Sequence, residues 1–290
     1  YGLRPGLLST QLANVPEAPT ITNPSNWYNR LRMVLSTSNN PSDTTYAVAI
    51  SSDNFTTTSY VQSDDTIGSA LGLEDYRTYA GWGSGTGTTI IGLTENTIYD
   101  FKVKANQGNF TETGYGPEAS GTTSVLSIAF DIDVAATDTE TAAPYELNLG
   151  NVLPGSVQSS SDKMWLDIDS NAASGALVYV VSQNDGLASS TASYTISSVS
   201  GDLSALSEGV GAQSSSVSQS SGGPLSAPSP YDGTSDNIGI IDNQFRQILT
   251  SSSPLTAGRA SFLLKVKVDA TTPTASDYAD IYTLVAAAAF

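Results

Sequence analysis

Carboxylates in alternate positions are the residues of this sequence that could most directly do chemistry. Asp131 and Asp133 are separated by one residue, and so are Asp167 and Asp169. Alternate side chains lie on one face of a strand, and paired carboxylates at a suitable distance can hydrolyse a glycosidic bond. Both pairs, however, alternate with apolar residues and so supply the polar face of an amphipathic strand. We expect this structural role, and no enzymatic activity.

A possible metal site overlaps the second pair. Asp167, Asp169 and Asn171 have the spacing that begins an oxygen-ligand calcium loop. The glycine of the sharp turn and the distal glutamate are absent from the expected places. A weak calcium site at these three residues is the alternative to a purely structural role, and no other cofactor is expected.

Two sequons and one tryptophan are candidate surface sites. Asn54 and Asn109 each begin an Asn-Phe-Thr sequence at a predicted loop or strand end. Either could carry a glycan if the source has the machinery, or could arise by coincidence in a threonine-rich chain. Trp82 lies in a glycine-rich segment, where an exposed ring could form a platform for sugars. Packing in the core is the alternative for Trp82.

Composition excludes several classes of function. The chain has 290 residues, a net charge of −17, and neither histidine nor cysteine. A Ser-His-Asp or Cys-His nucleophile, a Cys/His metal site and a disulfide are therefore excluded. The negative charge disfavours nucleic acid as a partner, and no apolar run is long enough to span a membrane as a helix. The chain starts at Tyr1 without a basic and apolar leader, as expected of a mature secreted protein or of a trimmed chain.

The elements that must position these residues are predicted to be strands. Charged residues make up 13% of the chain, and serine and threonine supply much of its polarity, which suits sheets better than helices. Short alternating segments recur about every ten residues between positions 16 and 123, a spacing typical of a sandwich. The sequence therefore predicts an all-β protein.

The first part of the chain resembles a fibronectin type III domain. The resemblance rests on residues 91–105, where the spacing of Leu93 and Tyr99 matches the family's tyrosine corner, and on the proline-rich and glycine-rich edges at 15–19 and 114–123. It implies an immunoglobulin-like sandwich over 16–123. The family often has a tryptophan on its second strand, where this chain has Leu35 or a neighbour. Because such domains are almost always non-catalytic, the resemblance indicates architecture more than function.

A larger β-sandwich is predicted for residues 124–290. Alternation is clear over 125–134 and in Met164, Leu166 and Ile168, and we expect a closing strand within 280–290. The Ser/Gly/Pro-rich stretch 200–236 predicts a long loop outside the core. The segment 149–156 gives this part a limited resemblance to secreted filament and envelope proteins such as the TasA/camelysin group.

An apolar N-terminal arm, residues 1–15, precedes both domains. It carries Leu3, Leu7, Leu8 and Leu12. These residues could pack on their own chain, or could add a strand to a sheet of another copy. Because a contact of the second kind repeats without closing, it builds a fibre. The C-terminal strand around 284–290 is the other candidate for this role.

These observations favour a non-enzymatic structural protein of the cell surface. We expect the repeating subunit of an extracellular, pilus-like fibre of a prokaryote, with itself as the main partner and cell-surface glycans as a further one. The alternatives are a carbohydrate-binding or adhesin module of a secreted protein, a virion decoration protein, and a glycosidase using the aspartate pairs.

Overall fold

The computed structural model describes residues 13–108 and 111–290. It confirms the all-β prediction, because strands account for nearly all the regular structure of these residues. The chain divides between Leu126 and Ser127 into two compact units. Leu3, Leu7, Leu8, Leu12 and Asn109 lie outside the described residues. In the described part, no helix has the length and apolar content to cross a bilayer.

Within its described residues, the first unit contains ten short strands and two 3₁₀ helices. The strands are β1 (Thr20–Thr22), β2 (Arg30–Val34), β3 (Thr45–Ser51), β4 (Ser59–Val61), β5 (Ile67–Gly68), β6 (Arg77–Thr78), β7 (Thr88–Ile91), β8 (Ile98–Gln107), β9 (Thr111–Glu112) and β10 (Ala119–Thr122), and the 3₁₀ helices are Leu73–Asp75 and Ser84–Thr86.

Two antiparallel sheets enclose the core of this unit. One has the order β1-β2-β7 and the other the order β10-β8-β3-β4-β5, with β6 pairing with β3 and β9 with β8. Alternate residues of β2 and β8 point inward, and Leu31, Met33 and Phe101 are completely buried. This two-sheet strand order is fibronectin-type-III-like, as the resemblance implied.

The tyrosine corner of this unit is present. The ring of Tyr99 is buried, and its hydroxyl accepts a hydrogen bond of 2.9 Å from the Thr94 amide. The bond satisfies both polar groups where the chain turns from β7 into β8. Leu35 is also buried, as expected for the position that lacks the family's tryptophan.

The second unit contains fourteen strands and one 3₁₀ helix. The strands are β11 (Ile128–Ala135), β12 (Gln158–Ser159), β13 (Lys163–Ser170), β14 (Ala176–Ser182), β15 (Gly186–Ser189), β16 (Tyr194–Ser197), β17 (Gly201–Asp202), β18 (Gly209–Ser218), β19 (Ser221–Gly222), β20 (Leu225–Ser226), β21 (Asn237–Ile238), β22 (Arg246–Ser251), β23 (Leu255–Lys267) and β24 (Tyr282–Ala288), and the 3₁₀ helix is Leu203–Ala205.

Two main sheets face each other in the second unit. The first has the order β11-β13-β23-β12, with β18 and β19 also pairing with β23, and the second has the order β20-β22-β14-β24. Across the core, β11 lies against β24, β13 against β14 and β18 against β20. Met164, Leu166 and Ile168 are buried between the sheets, as their alternation predicts.

The expectation of a long loop over 200–236 is wrong. Residues 209–218 form β18, which pairs with β23 and buries Val210 and Ala212 in the core. The serines are accommodated because their hydroxyls find partners, as Ser215 and Ser216 do on the Ser261 hydroxyl at 2.7 and 2.6 Å. Low sequence complexity here reflects small side chains rather than a lack of pairing.

Candidate functional site

The alternating aspartates meet at the edge of the first sheet of unit two. Strands β11 and β13 are antiparallel, and their register places Asp131 opposite Asp167. Oxygens of Asp131, Asp133 and Asp167 lie within 4.8 Å of one another. On the other side of β13, the register places Arg259 of β23 opposite Asp167. The cluster is therefore assembled from three adjacent strands.

Arg259 is the cation of this cluster. Its two terminal nitrogens are each 3.2 Å from Asp133, and it also forms ion pairs with Asp138 and Asp167. Its guanidinium lies 5.3 Å from the centroid of the Trp165 ring. One guanidinium thus ties two strands to the segment that follows β11.

The alternation of residues predicted that Asp133 faces solvent, and this prediction is wrong. Asp133 is completely buried, and its carboxylate accepts a hydrogen bond of 2.6 Å from the Thr141 amide. The chain after β11 folds back over it, and the Thr141 hydroxyl accepts a hydrogen bond from the Val134 amide. Burial raises the pKa of Asp133, but the bonds from Thr141 and Arg259 outweigh it and keep the pKa below its ordinary value.

The exposed part of the cluster keeps an excess of negative charge. The carboxylates of Asp133 and Asp131 raise the pKa of exposed Glu140 above its ordinary value. Asp133 is locked by Arg259 and Thr141, so it is not free to act as an acid or a base. The arrangement can fasten residues 138–141 to the sheet and present the remaining carboxylates to solvent.

The predicted calcium residues do not form a loop. Asp167 and Asp169 lie within β13, which is paired on both sides, and Asn171 follows its end. Asp169 accepts a hydrogen bond of 2.7 Å from the Ala257 amide, and Asn171 accepts one of 2.8 Å from the Ser127 amide. The prediction of a loop is therefore wrong, because Asp167 and Asp169 lie in a strand. Calcium binding by these residues stays a prediction.

Trp82 is not a surface platform. Its side chain is 0% exposed and its indole nitrogen donates a hydrogen bond of 2.9 Å to the Tyr46 carbonyl. The Arg77 guanidinium lies 3.5 Å from the centroid of its ring. The glycine-rich segment around it, with left-handed backbone at Gly83 and Gly87, folds the indole inward. The glycine content of this segment suggested an exposed indole. Glycine content indicates a turn, but it does not encode the direction in which the turn points the side chain.

Asn54 lies in the turn after β3. It is exposed and has a φ of 55°, a left-handed conformation that asparagine tolerates better than most residues. Thr56 of the same sequon is exposed too. Glycosylation at Asn54, like that at Asn109, stays a prediction.

Repeated aspartate-bearing turns are a feature that sequence analysis missed. Asp64, Asp202 and Asp269 each accept hydrogen bonds from the amide and hydroxyl of the Ser or Thr two residues later. These bonds hold the pKa of each carboxyl below its ordinary value. The signal available in the sequence was the recurring Asp-x-Ser/Thr pattern in turn segments.

The second unit has an open sheet edge at β24. In the described chain, β24 pairs with β14 alone. The Gln183 amide donates to the Ile281 carbonyl and the Ala289 amide to the Gly175 carbonyl, so odd-numbered residues turn their backbone groups toward β14. Strand geometry then directs the backbone groups of Tyr282, Leu284, Ala286 and Ala288 outward.

A second edge lies against the first. Among the described strands, β11 pairs with β13 alone. The Val134 amide points away from β13, toward Thr141, so the backbone groups of Ile132 and Phe130 point the same way. Apolar side chains are exposed at these two edges, with Ile128 and Val285 both 40% exposed.

Comparisons with known proteins find similarity in solved structures alone. No family model and no curated protein matches the chain. A two-domain fibronectin type III segment of chicken tenascin is 11% identical, with a TM-score of 0.28 over 94% of this chain and 99% of that one. Chitinase ChiA74 of Bacillus thuringiensis is 9% identical, with a TM-score of 0.22 over 96% of this chain and 30% of that one.

An α-L-rhamnosidase of Dictyoglumus thermophilum is 12% identical, with a TM-score of 0.24 over 95% of this chain and 28% of that one. The chain thus spans less than a third of the length of the two enzymes. Because all three TM-scores are low, the fold of the first unit rests on its own strand order and tyrosine corner.

Proposed function

We propose that this protein is a non-enzymatic structural subunit of an extracellular, cell-surface fibre, assembled by strand addition between copies. The observation that carries the proposal is the open edge of β24 in the second unit, which lies beside β11, a strand whose outer edge is bonded to Thr141 at Val134. Native proteins usually cover or shorten such edges, because unpaired backbone groups recruit further strands. Here β24 spans Tyr282–Ala288 and exposes Val285 beside those groups.

The donor in this proposal is the N-terminal arm of another copy, carrying Leu3, Leu7, Leu8 and Leu12. A strand added beside β24 gains backbone hydrogen bonds, and its apolar side chains cover exposed surface at the edge. Donor and acceptor are different surfaces, so each added copy leaves a new acceptor free and the assembly grows as a fibre. The buried position of Trp82 removes the best candidate platform for the carbohydrate-binding alternative.

Electron microscopy of the full chain and of a chain lacking residues 1–14 tests this function. We expect filaments from the full chain and monomers from the shortened one. Filaments from both would replace the arm with another donor, such as the C-terminal strand. Dispersed particles from both would contradict the fibre proposal.

A proline at the acceptor edge tests β24 itself. The Ala286 amide points away from β14, so Ala286→Pro removes an outward donor while the hydrogen bonds to β14 remain. We expect a folded protein that no longer assembles, with Thr283→Ala as a control that still does. Circular dichroism checks the fold, and filaments from folded Ala286→Pro would exclude pairing at β24.

A further inference from the structure

Among the described residues of the first unit, two arginines form no ion pair with an acidic side chain. Among the described arginines, Arg77, Arg246 and Arg259 each form an ion pair, whereas Arg30 and Arg32 form none. Residues 1–12 and 109–110 contain neither Asp nor Glu, so no carboxylate side chain lies outside the described part. In a chain with a net charge of −17, this absence of pairing needs a reason.

Strand β2 presents both arginines on the outer face of its sheet. Its inward residues, Leu31 and Met33, are buried, so Arg30 and Arg32 point to the other side. Both guanidinium groups lie near the ring of Trp27, at 5.8 and 5.9 Å from its centroid. The ring restricts the two long side chains and so reduces the entropy that they would lose on binding a partner.

Threonine hydroxyls border this positive face. The register places Thr22 of β1 and Thr89 of β7 on either side of Arg32. The face therefore offers guanidinium and hydroxyl donors on a regular sheet surface, which suits carboxylates held in a fixed array.

The second unit carries a surface of the opposite sign. Around the single guanidinium of Arg259, the side chains of Asp138 and Asp167 are 58% and 37% exposed. Asp131 and Glu140 are exposed beside them, and their mutual repulsion with Asp133 disfavours ionisation of Glu140. Additional positive charge brought to this surface would relieve that repulsion.

We infer that the Trp27–Arg30–Arg32 face of one copy docks on the Asp131–Asp138–Glu140–Asp167 surface of a second copy. The two surfaces lie on different units and are not copies of each other, so a contact made once between two copies leaves one surface of each kind free and can repeat in one direction. This inference rests on the proposed function, to which it adds a second contact that sets the order and spacing of copies. Complementary charge of this kind governs specificity and encounter rate more than total affinity.

Charge reversal at fixed ionic strength tests the contact. Arg30→Glu with Arg32→Glu makes the net charge more negative by four, Asp131→Arg with Glu140→Arg makes it less negative by four, and the quadruple variant restores the original net charge. The quantity to measure is the critical concentration for assembly, by pelleting and electron microscopy. Each double variant is expected to raise it about 10-fold, and the quadruple variant to return it close to the starting value.

The variant Asp131→Arg/Glu140→Arg distinguishes a specific contact from general repulsion. If net charge alone governs assembly, this less negative variant assembles more readily than the original protein, which would overturn the inference. Lys102→Glu with Lys267→Glu is the control, because it adds the same charge at other sites and should leave the critical concentration nearly unchanged. Should the arginine substitutions impair folding, Asp131→Asn with Glu140→Gln gives a milder test with a smaller rise expected.

The remaining outcomes separate this inference from the proposed function. Filaments that none of the variants affect would overturn the contact and leave the fibre intact. Charge-dependent dimers without filaments would support the contact and contradict the fibre. A protein that stays monomeric at every concentration would overturn both proposals. Unchanged assembly of the variants, combined with arginine-dependent binding to the polyanion alginate, would overturn the contact alone.

Discussion

At Trp82, a single buried side chain joins the core of the first unit to strand β3. Its indole is completely buried and bonded to the Tyr46 carbonyl of β3, while Arg77 covers its ring. The ring contributes apolar burial, a satisfied N–H donor and a cation–π contact. Its role is therefore in stability rather than in ligand binding.

Replacing Trp82 by phenylalanine should lower the free energy of unfolding by about 1–3 kcal/mol. The change leaves the Tyr46 carbonyl without its donor and leaves a gap beside Arg77. Chemical denaturation of the full chain measures the loss. Trp27→Phe, at a half-buried position outside the core cluster, is the matched control, for which we expect a loss of about 1 kcal/mol or less. Equal effects of the two changes would contradict the core position of Trp82.

The buried Asp133 predicts an acid-sensitive contribution to stability. Asp133→Asn should lower the free energy of unfolding at neutral pH by about 2–4 kcal/mol, because Arg259 loses its buried partner. The pKa of Asp133 is lowered in the fold, so its contribution exists above the ordinary value near 4 and disappears as pH falls through the folded value. The difference between the two proteins should therefore shrink in denaturation experiments below about pH 4.

Asp131→Asn provides the comparison at an exposed position of the same strand. It should change stability little at any pH, since Asp131 lies at the surface. A pH-independent effect of Asp133→Asn would show that the loss comes from packing rather than from the charge.

At the scale of elements, β18 makes the sharpest prediction. Amide hydrogens that pair with β23 over residues 209–217 should exchange far more slowly than those of Asp138 and Thr139, which precede the Thr141 contact. Hydrogen exchange followed by mass spectrometry measures both segments in one experiment. Rapid exchange throughout 209–217 would restore the loop that composition suggests.

Strand alternation was predictable, and the partners of polar residues were not. Met164, Leu166 and Ile168 indicate their buried face because apolar alternation is a local pattern. The serines of β18 and the carboxylate of Asp133 are paired with residues far along the chain, and a local pattern carries no information on such partners. The inward turn of Trp82 depends on backbone conformation at glycines, which sequence does not specify either.

At the scale of the whole molecule, each unit contains its own core. The core cluster around Leu31 and Phe101 lies in the first unit, and the cluster around Leu166 and Phe262 lies in the second. A unit with its own core and complete sheets is able to fold separately.

Separate chains covering 13–126 and 127–290 should therefore each unfold cooperatively. We expect calorimetry of the full chain to resolve into transitions close to those of the two halves. If either half is unfolded when it is produced alone, its stability depends on the other half.

In the aspartate-bearing turns, carboxylates have a structural role in addition to supplying the negative charge of the surface. Asp64, Asp202 and Asp269 close their turns as carboxylates, and their lowered pKa values mean that the bonds persist above the ordinary pKa and weaken as pH falls through the folded value. The sequence has a pI of about 4.1. Acid that neutralises the surface, and so removes charge repulsion between molecules, therefore approaches the pH range in which protonation of these carboxylates begins to loosen the loops. For this chain, colloidal stability and loop order would be lost along one titration.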